Sequence, residues 1–296
     1  MRTVPLPAKG QNTFSLEVDT KSIQGEGSLF FEINPNEDQA ELTHFNNYLN
    51  WDFYIEGDDK GPVLDVTFDG IQILDGDIIS PEALILIQLK DENPYVPLSD
   101  TSLVEIQLEY PDGQIERFYA DDARINFIPE FTAGKNELRI EMEPDLDQDG
   151  TYKLTVRAED VAGNKSGLLP YQVSFEVINK NMISNVFNYP NPFSTSTQFV
   201  YTLTGRVPTQ FGIQIATVSG RIVREIGADE IGELRVGTHR TPYQWDGTDE
   251  FGDQLANGVY LYRVVAKDEL GTDYEKFENN TNQFFQKGWG KMVILR

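Results

Sequence analysis

The sequence predicts an all-β chain of tandem β-sandwiches, and three observations predict it. Apolar residues recur at period two in segment after segment, turn dipeptides separate these runs at regular spacing, and apolar positions at helical spacing are almost absent. Successive side chains of a strand point to opposite faces of its sheet, so alternation marks a strand with one buried face. A sandwich closes a core with roughly 100 residues. The 296 residues therefore suffice for two or three sandwiches of immunoglobulin-like size.

Taken in order, Phe14, Leu16 and Val18 share one face of a first run that ends at Asp19, and residues 51–55 form a later run. The polar, Gly- and Pro-containing segment 57–62 breaks the chain before a fresh strand over residues 63–68. Val104, Ile106, Leu108 and Tyr110 then share one face, with Glu105, Gln107 and Glu109 on the other. Leu138, Ile140 and Met142 repeat the pattern, as do Tyr152, Leu154, Val156 and Ala158, and residues 173–177 form the next strand. Pro111-Asp112-Gly113, Asp149-Gly150 and Gly163-Asn164 supply the backbone angles that chain reversals need. A second polar break at 179–184 gives modules at about 1–60, 61–179 and 180–296. The first is too short for a full sandwich, so it is truncated or packs on a neighbour.

Composition narrows the function. Against 24 Lys and Arg stand 48 Asp and Glu, a formal charge of −24, so polyanions are repelled at long range and neither nucleic acid nor an anionic membrane surface is an expected partner. There is no cysteine, which excludes a disulfide framework, a zinc–thiolate site and a cysteine nucleophile in this chain. No run approaches the ~20 apolar residues that span a bilayer, and the first residues lack a signal-peptide core. The segment reads as the C-terminal part of a longer exported protein.

The last module carries the most specific words. Asn188-Tyr189-Pro190-Asn191-Pro192-Phe193 precedes an alternating strand with Phe199, Tyr201 and Leu203. Then come Gly220-Arg221-Ile222-Val223, Trp245-Asp246-Gly247-Thr248-Asp249, Gly252, and Leu255-Ala256-Asn257-Gly258-Val259-Tyr260. On physical grounds Pro190 and Pro192 cannot donate to a ladder and fit an extended, edge-type opening of the domain. Trp245 is large enough to cover one end of a sandwich. This succession resembles the FlgD-like immunoglobulin domain and the related C-terminal domain of type IX secretion cargo in Bacteroidetes. The middle module, with Leu154 to Ala158 followed by Asp160-Val161-Ala162-Gly163-Asn164, resembles bacterial Ig-like domains. The first, with Gly10-Gln11-Asn12, a strand ending at Asp19 and residues 41–47 before the 51–55 run, is similar to half of a CARDB-type sandwich. With the tail Gly288-Trp289-Gly290-Lys291-Met292-Val293-Ile294-Leu295-Arg296, the whole is similar to the C-terminal region of gingipain-like cysteine peptidases and type IX sortase-like proteins, whose catalytic Cys and His belong to an upstream domain. The resemblance implies a non-catalytic region at the surface of a Gram-negative cell, serving type IX secretion, attachment or assembly. Its implied partners are outer-membrane secretion components or another surface protein. One departure from that pattern is the polar insertion 267–287 before the last strand.

Two acidic loops could hold calcium. Asp145, Asp147 and Asp149 have the D-x-D-x-D-G spacing that turns oxygens toward one hard cation, but the twelfth position from Asp145 is Val156, so the closing acid is missing. Asp246, Asp249, Glu250 and Asp253 fall within eight residues. For both loops the competing reading is an ordinary solvated turn; the Asp121-Asp122 pair is a weaker candidate of the same kind. His44 and His239 are far apart, no Gly-x-Ser-x-Gly elbow precedes either, and both read as surface residues. Tyr274, Phe277, Phe284, Phe285 and Trp289 form either an exposed binding strip or the packing of the insertion onto the sandwich. A calcium-stiffened adhesion module for glycan or protein is thus the alternative function, and an accessory region of an upstream cysteine peptidase is another.

Overall fold

A computed structural model describes residues 10–11, 13, 15–18, 20, 23–38, 40–276 and 288–296. Nearly every element is a strand: among the described residues the helical exceptions are a 3-10 turn, Thr101–Leu103, and one four-residue helix, α1 (Ala228–Ile231). The fold is all-β and the sheets are open and layered. The chain divides into two compact units, residues 1–60 and 61–296.

The first unit contains an antiparallel hairpin of β1 (Gly25–Glu32) and β2 (Tyr48–Ile55). Its register pairs Leu29 with Trp51 and Phe31 with Leu49 on one face, and Ser28 with Asp52 and Glu32 with Tyr48 on the other. The run expected over residues 14–19 is not a strand where it is described: Leu16 and Val18 are exposed and lie outside any ladder. Asn12, Phe14 and Asp19 fall outside the described residues. β1 escapes the periodicity reading because Gly25 and Gly27 occupy its apolar face and add no hydrophobic signal.

Residues 61–296 hold two sandwiches. In the first, β3 (Val63–Phe68), β5 (Ile85–Asp91), β9 (Lys135–Met142) and β8 (Ile125–Thr132) form one sheet. The facing sheet has the order β4 (Asp77–Ile79), β11 (Tyr171–Val177), β10 (Gly150–Ala158), β6 (Val104–Glu109) and β7 (Ile115–Phe118). The inward positions of both sheets are the period-two residues of the sequence: Ile85, Ile87, Leu89, Leu138, Ile140, Met142, Tyr152, Leu154 and Val156 are buried together. Pro129 lies in β8, an edge strand, where a missing N–H costs no central ladder bond. A buried polar residue fixes the long 92–103 connection. Asn136 in β9 accepts from Leu98 N (2.9 Å) and donates to Asn93 O (2.9 Å) and Val96 O (2.8 Å).

In the second sandwich β16 (Gly237–Arg240), β13 (Gln198–Thr204), β12 (Met182–Tyr189) and β18 (Glu275–Lys276) face β15 (Ile222–Ile226), β14 (Gln210–Thr217), β17 (Gly258–Lys267) and β19 (Gly290–Ile294). The Asn-Pro segment was expected to open this domain. Instead β12 opens it, and Pro190 and Pro192, each after a cis peptide bond, follow that strand. The two sandwiches meet along strand edges. Gly237 (φ +104°) sits so close to β4 that a Cβ would lie 2.7 Å from Ile78 O, and Arg206 Nη2 pairs with Glu82 Oε1 at 2.5 Å. The polar link between them is fastened on both sides: Asn179 N donates to Asp149 Oδ1 (2.7 Å), and Arg206 N donates to Asn181 Oδ1 (2.9 Å).

Replacing Asn136 with leucine would strand one buried N–H and two carbonyls, each unmade bond costing about 1–3 kcal/mol. Denaturant unfolding of Asn136→Leu should show a loss within that range or above it, and unchanged stability would contradict the pinning role.

Candidate functional site

Motif residues around Asn188–Phe193, Trp245–Thr248, Leu255–Asn257 and the tail, separated by up to about a hundred positions in sequence, converge on one end of the second sandwich. Trp245 has no exposed surface and packs against Phe193, with ring centroids 5.6 Å apart. A buried indole needs a partner for its N–H; Nε1 donates to Thr248 O at 2.9 Å, and Trp245 exchanges backbone hydrogen bonds with Thr197. Asn188 is buried next to it and donates to Thr197 Oγ1 (3.0 Å). Thr197 Oγ1 in turn donates to Pro190 O (2.8 Å).

The C-terminal residue closes this assembly. Arg296 donates through Nη1 to Leu255 O (3.0 Å) and through Nη2 to Asp246 O (2.5 Å). Its backbone N–H and C=O are both held by the Asn257 amide. Gly247 (φ +79°) leaves room for the guanidinium: a Cβ there would lie 2.6 Å from Nη2.

The outer edge of β19 is also occupied. β17 pairs with one side of it. On the other side Asn191 Nδ2 donates to Lys291 O (2.9 Å) and Asn191 Oδ1 accepts from Val293 N (3.0 Å). Phe193 N donates to Val293 O (3.0 Å) and Leu295 N donates to Phe193 O (2.9 Å). The outer edge of β19 is therefore taken by the Asn191–Phe193 segment. What remains readable on the last strand is side chain: Lys291 and Leu295 are exposed and Val293 is half-buried.

Two carboxylates of the first acidic loop, Asp145 and Asp149, have other partners. Asp145 Oδ2 accepts from Arg124 Nη1 (3.0 Å), and Asp149 Oδ1 accepts from both nitrogens of Asn179. In the second loop Asp246 accepts from Thr248 N and Oγ1, Asp249 accepts from Phe251 N and Asp253 N, and Glu250 holds Arg224 and Glu225 N. Neither trio, Asp145, Asp147 and Asp149 or Asp246, Asp249 and Asp253, brings its ligand oxygens within 4.8 Å of one another.

Arg124 is a hub that sequence reasoning missed. It pairs with Glu116 (2.6 Å), Asp122 (2.7 Å) and Asp145 (3.0 Å) and lies 4.8 Å from the centroid of Phe118. Its hydrogen bonds hold the Asp122 carboxyl down to about 2 and lower Glu116 as well. The only signal was Asp122 two residues before Arg124, and Glu116 and Asp145, which complete the set, lie 8 and 21 positions away.

The remaining candidates are scattered. His44 lies 3.4 Å from Glu41, and His239 Nε2 is 2.9 Å from Val236 O beside a cleft of about 500 Å³ between the sandwiches. Tyr274, for which the sequence left an exposed strip and packing of the insertion as alternatives, is buried, and its hydroxyl donates to Arg206 O (2.8 Å). Trp289 is half-buried with Arg263 over its ring (4.8 Å). Both pack the insertion and tail onto the sandwich; Phe277, Phe284 and Phe285 lie outside the described residues.

No protein-family model and no curated protein matches this chain. Solved structures do. Dimeric latent PorU from Porphyromonas gingivalis is similar at 21% identity over 80% of this chain, with a TM-score of 0.31. This chain spans about a fifth of that one, 20% of its length. The fibronectin(III)-like modules of Clostridium thermocellum CbhA match at 13% identity, covering 78% of this chain and 94% of theirs, with a TM-score of 0.23. The FN1–FN3 domains of chicken CNTN1 match at 9%, covering 84% and 70%, also with a TM-score of 0.23.

Two outcomes test the site. Trp245→Ala should cost about 3–5 kcal/mol in denaturant unfolding, the range for emptying a buried aromatic position, whereas Arg296→Ala should cost about 1 kcal/mol because its hydrogen bonds are exposed. Equal effects would contradict a pole built on the indole. For Arg124, the native carboxyls lie below their unfolded values near 4, so their stabilisation is complete above about pH 4 and is lost as pH falls toward 2. The stability gap between wild type and Arg124→Gln should accordingly be full at pH 6 and narrow on acidification in pH-dependent melting; a constant gap would refute the assignment.

Proposed function

We propose that residues 180–296 act as a recognition module for export and surface attachment of a larger cell-surface protein of the type IX secretion class. In this reading the upstream modules are spacers, and the chain has no catalytic role of its own. One observation carries the proposal: the Asn188–Phe193, Trp245–Thr248 and Leu255–Asn257 words that resemble the type IX cargo domain meet the 291–296 tail at a single end of the fold, and the last strand is locked there on both edges. A strand held in this way presents its outward side chains in fixed geometry. The module would then be read by its surface, through Lys291, Val293 and Leu295, and not by strand addition. The partners of this reading are outer-membrane secretion components, and the location is the outside of a Gram-negative cell.

The test is a fusion of residues 61–296, and in parallel 180–296, behind a signal peptide and a fluorescent passenger in a Bacteroidetes host. The passenger should reach the cell surface, and deleting residues 288–296 should keep it in the periplasm. Leu295→Asp alters only an exposed side chain, so it should reduce surface display several-fold without changing the melting temperature. A folded, soluble fusion that stays periplasmic, or a Leu295→Asp fusion displayed as well as the parent, would overturn the proposal.

A further inference from the structure

The first sandwich carries a groove of about 820 Å³ at the end of its five-stranded sheet, where β6 begins and β7 and β10 end. Val104, Ile106 and Phe118, all buried core residues, reach its lining, and Phe127 joins them. Its lip is the 165–170 loop, which carries Leu168 and Leu169 in succession with 104% and 82% of their surface exposed. Single exposed leucines are ordinary. Two in succession on the lip of an apolar groove form a continuous sticky surface. The loop that carries them is anchored. Buried Asp160 accepts from Asn164 N and Nδ2, both at 2.8 Å, and Ser166 N donates to Ala158 O at 2.9 Å.

The charge around this groove runs against the rest of the sandwich. Residues 61–179 contain 24 Asp and Glu and 8 Lys and Arg. The groove lining holds three of those eight cations, Arg117, Arg157 and Lys165, and only two of the acids, Glu105 and Glu159. Arg117 (3.8 Å) and Arg157 (3.1 Å) share the single carboxylate of Glu105, which leaves guanidinium donors facing solvent. A rim of cations around an apolar floor, on a molecule that otherwise repels anions, selects a ligand with both properties.

We propose that this groove docks an extended acidic segment of another protein, with large apolar side chains alternating with carboxylates. The apolar side chains enter between the leucine lip and Phe118, and the carboxylates meet Arg117, Arg157 and Lys165. This site is separate from the C-terminal pole and stands or falls without the secretion reading.

The experiment uses the full chain, labelled with nitrogen-15, and a blocked octapeptide in which glutamate alternates with leucine and valine, compared with the same peptide carrying lysine for glutamate. The acidic peptide should shift the amides of Phe118, Leu168 and Leu169 and bind at least about tenfold more tightly than the basic one. Reversing the exposed rim with Arg117→Glu, Arg157→Glu and Lys165→Glu together should remove that preference. Leu168→Ser with Leu169→Ser, at exposed positions that leave the core intact, should abolish binding of both peptides. Equal affinity for the two peptides, shifts confined to other surfaces, or binding that survives loss of the leucines would overturn the proposal. So would sedimentation showing that the groove is filled by a second copy of this chain.

Discussion

The side chain of Asn191 does for β19 what a neighbouring strand would do. Its amide donates to Lys291 O and accepts from Val293 N, and the backbone of Phe193 continues the ladder for two more bonds. β19 is only five residues long and pairs through few hydrogen bonds on each side; held on both sides it becomes a structural member. Trp245 can then be buried completely, because Phe193, which covers its ring, is held by β19. Arg296 can reach the loops at 246 and 255 for the same reason. The Asn191 amide and the Phe193 backbone together seal the edge against which the Trp245 pole is assembled.

The acid excess has a structural use that composition alone conceals. Asp100, Asp112, Asp122, Asp246, Asp249 and Asp268 each accept from the backbone N–H two residues on. This is the side-chain turn that aspartate forms readily and that competes with regular structure. Nineteen strands among the described residues need many reversals, and aspartate supplies them while keeping the surface anionic. Carboxylates used in this way are spread among separate turns, which is why spacing that suggested a cation loop does not produce a converging oxygen set at residues 145–149 or 246–253.

The two sandwiches of residues 61–296 form one compact unit, since each lends its link partners. Asp149, read from sequence as a ligand, secures Asn179 at the start of the link, and Asn181 secures Arg206 beyond it. Gly237 lets β16 approach β4 so closely that a side chain would collide with the Ile78 carbonyl. Edge strands with unpaired backbone invite aggregation, and bringing two such edges together shields both. The link reads as a polar break in sequence because polar side chains hold it.

The sequence by itself determined the all-β class, the apolar faces of β6, β9, β10 and β13, and Trp245 as a plate for one end of a sandwich. Each is encoded between near neighbours: side-chain period, turn dipeptides, and an indole too large to leave in water. Only the tertiary structure decided that the Asn-Pro segment follows β12 and seals β19, that Arg124 gathers Glu116, Asp122 and Asp145, that Asn136 pins a loop some forty residues earlier, and that three cations meet at one groove. β1 was lost to periodicity because its glycines carry no hydrophobic signal, and the choice between exposure and packing for Tyr274 stayed open because its partner, Arg206 O, lies 68 positions away. Local rules specify strands, whereas edge closure and convergent charge arise from contacts between residues up to 102 positions apart, whose pairing is set only when the sheets stack.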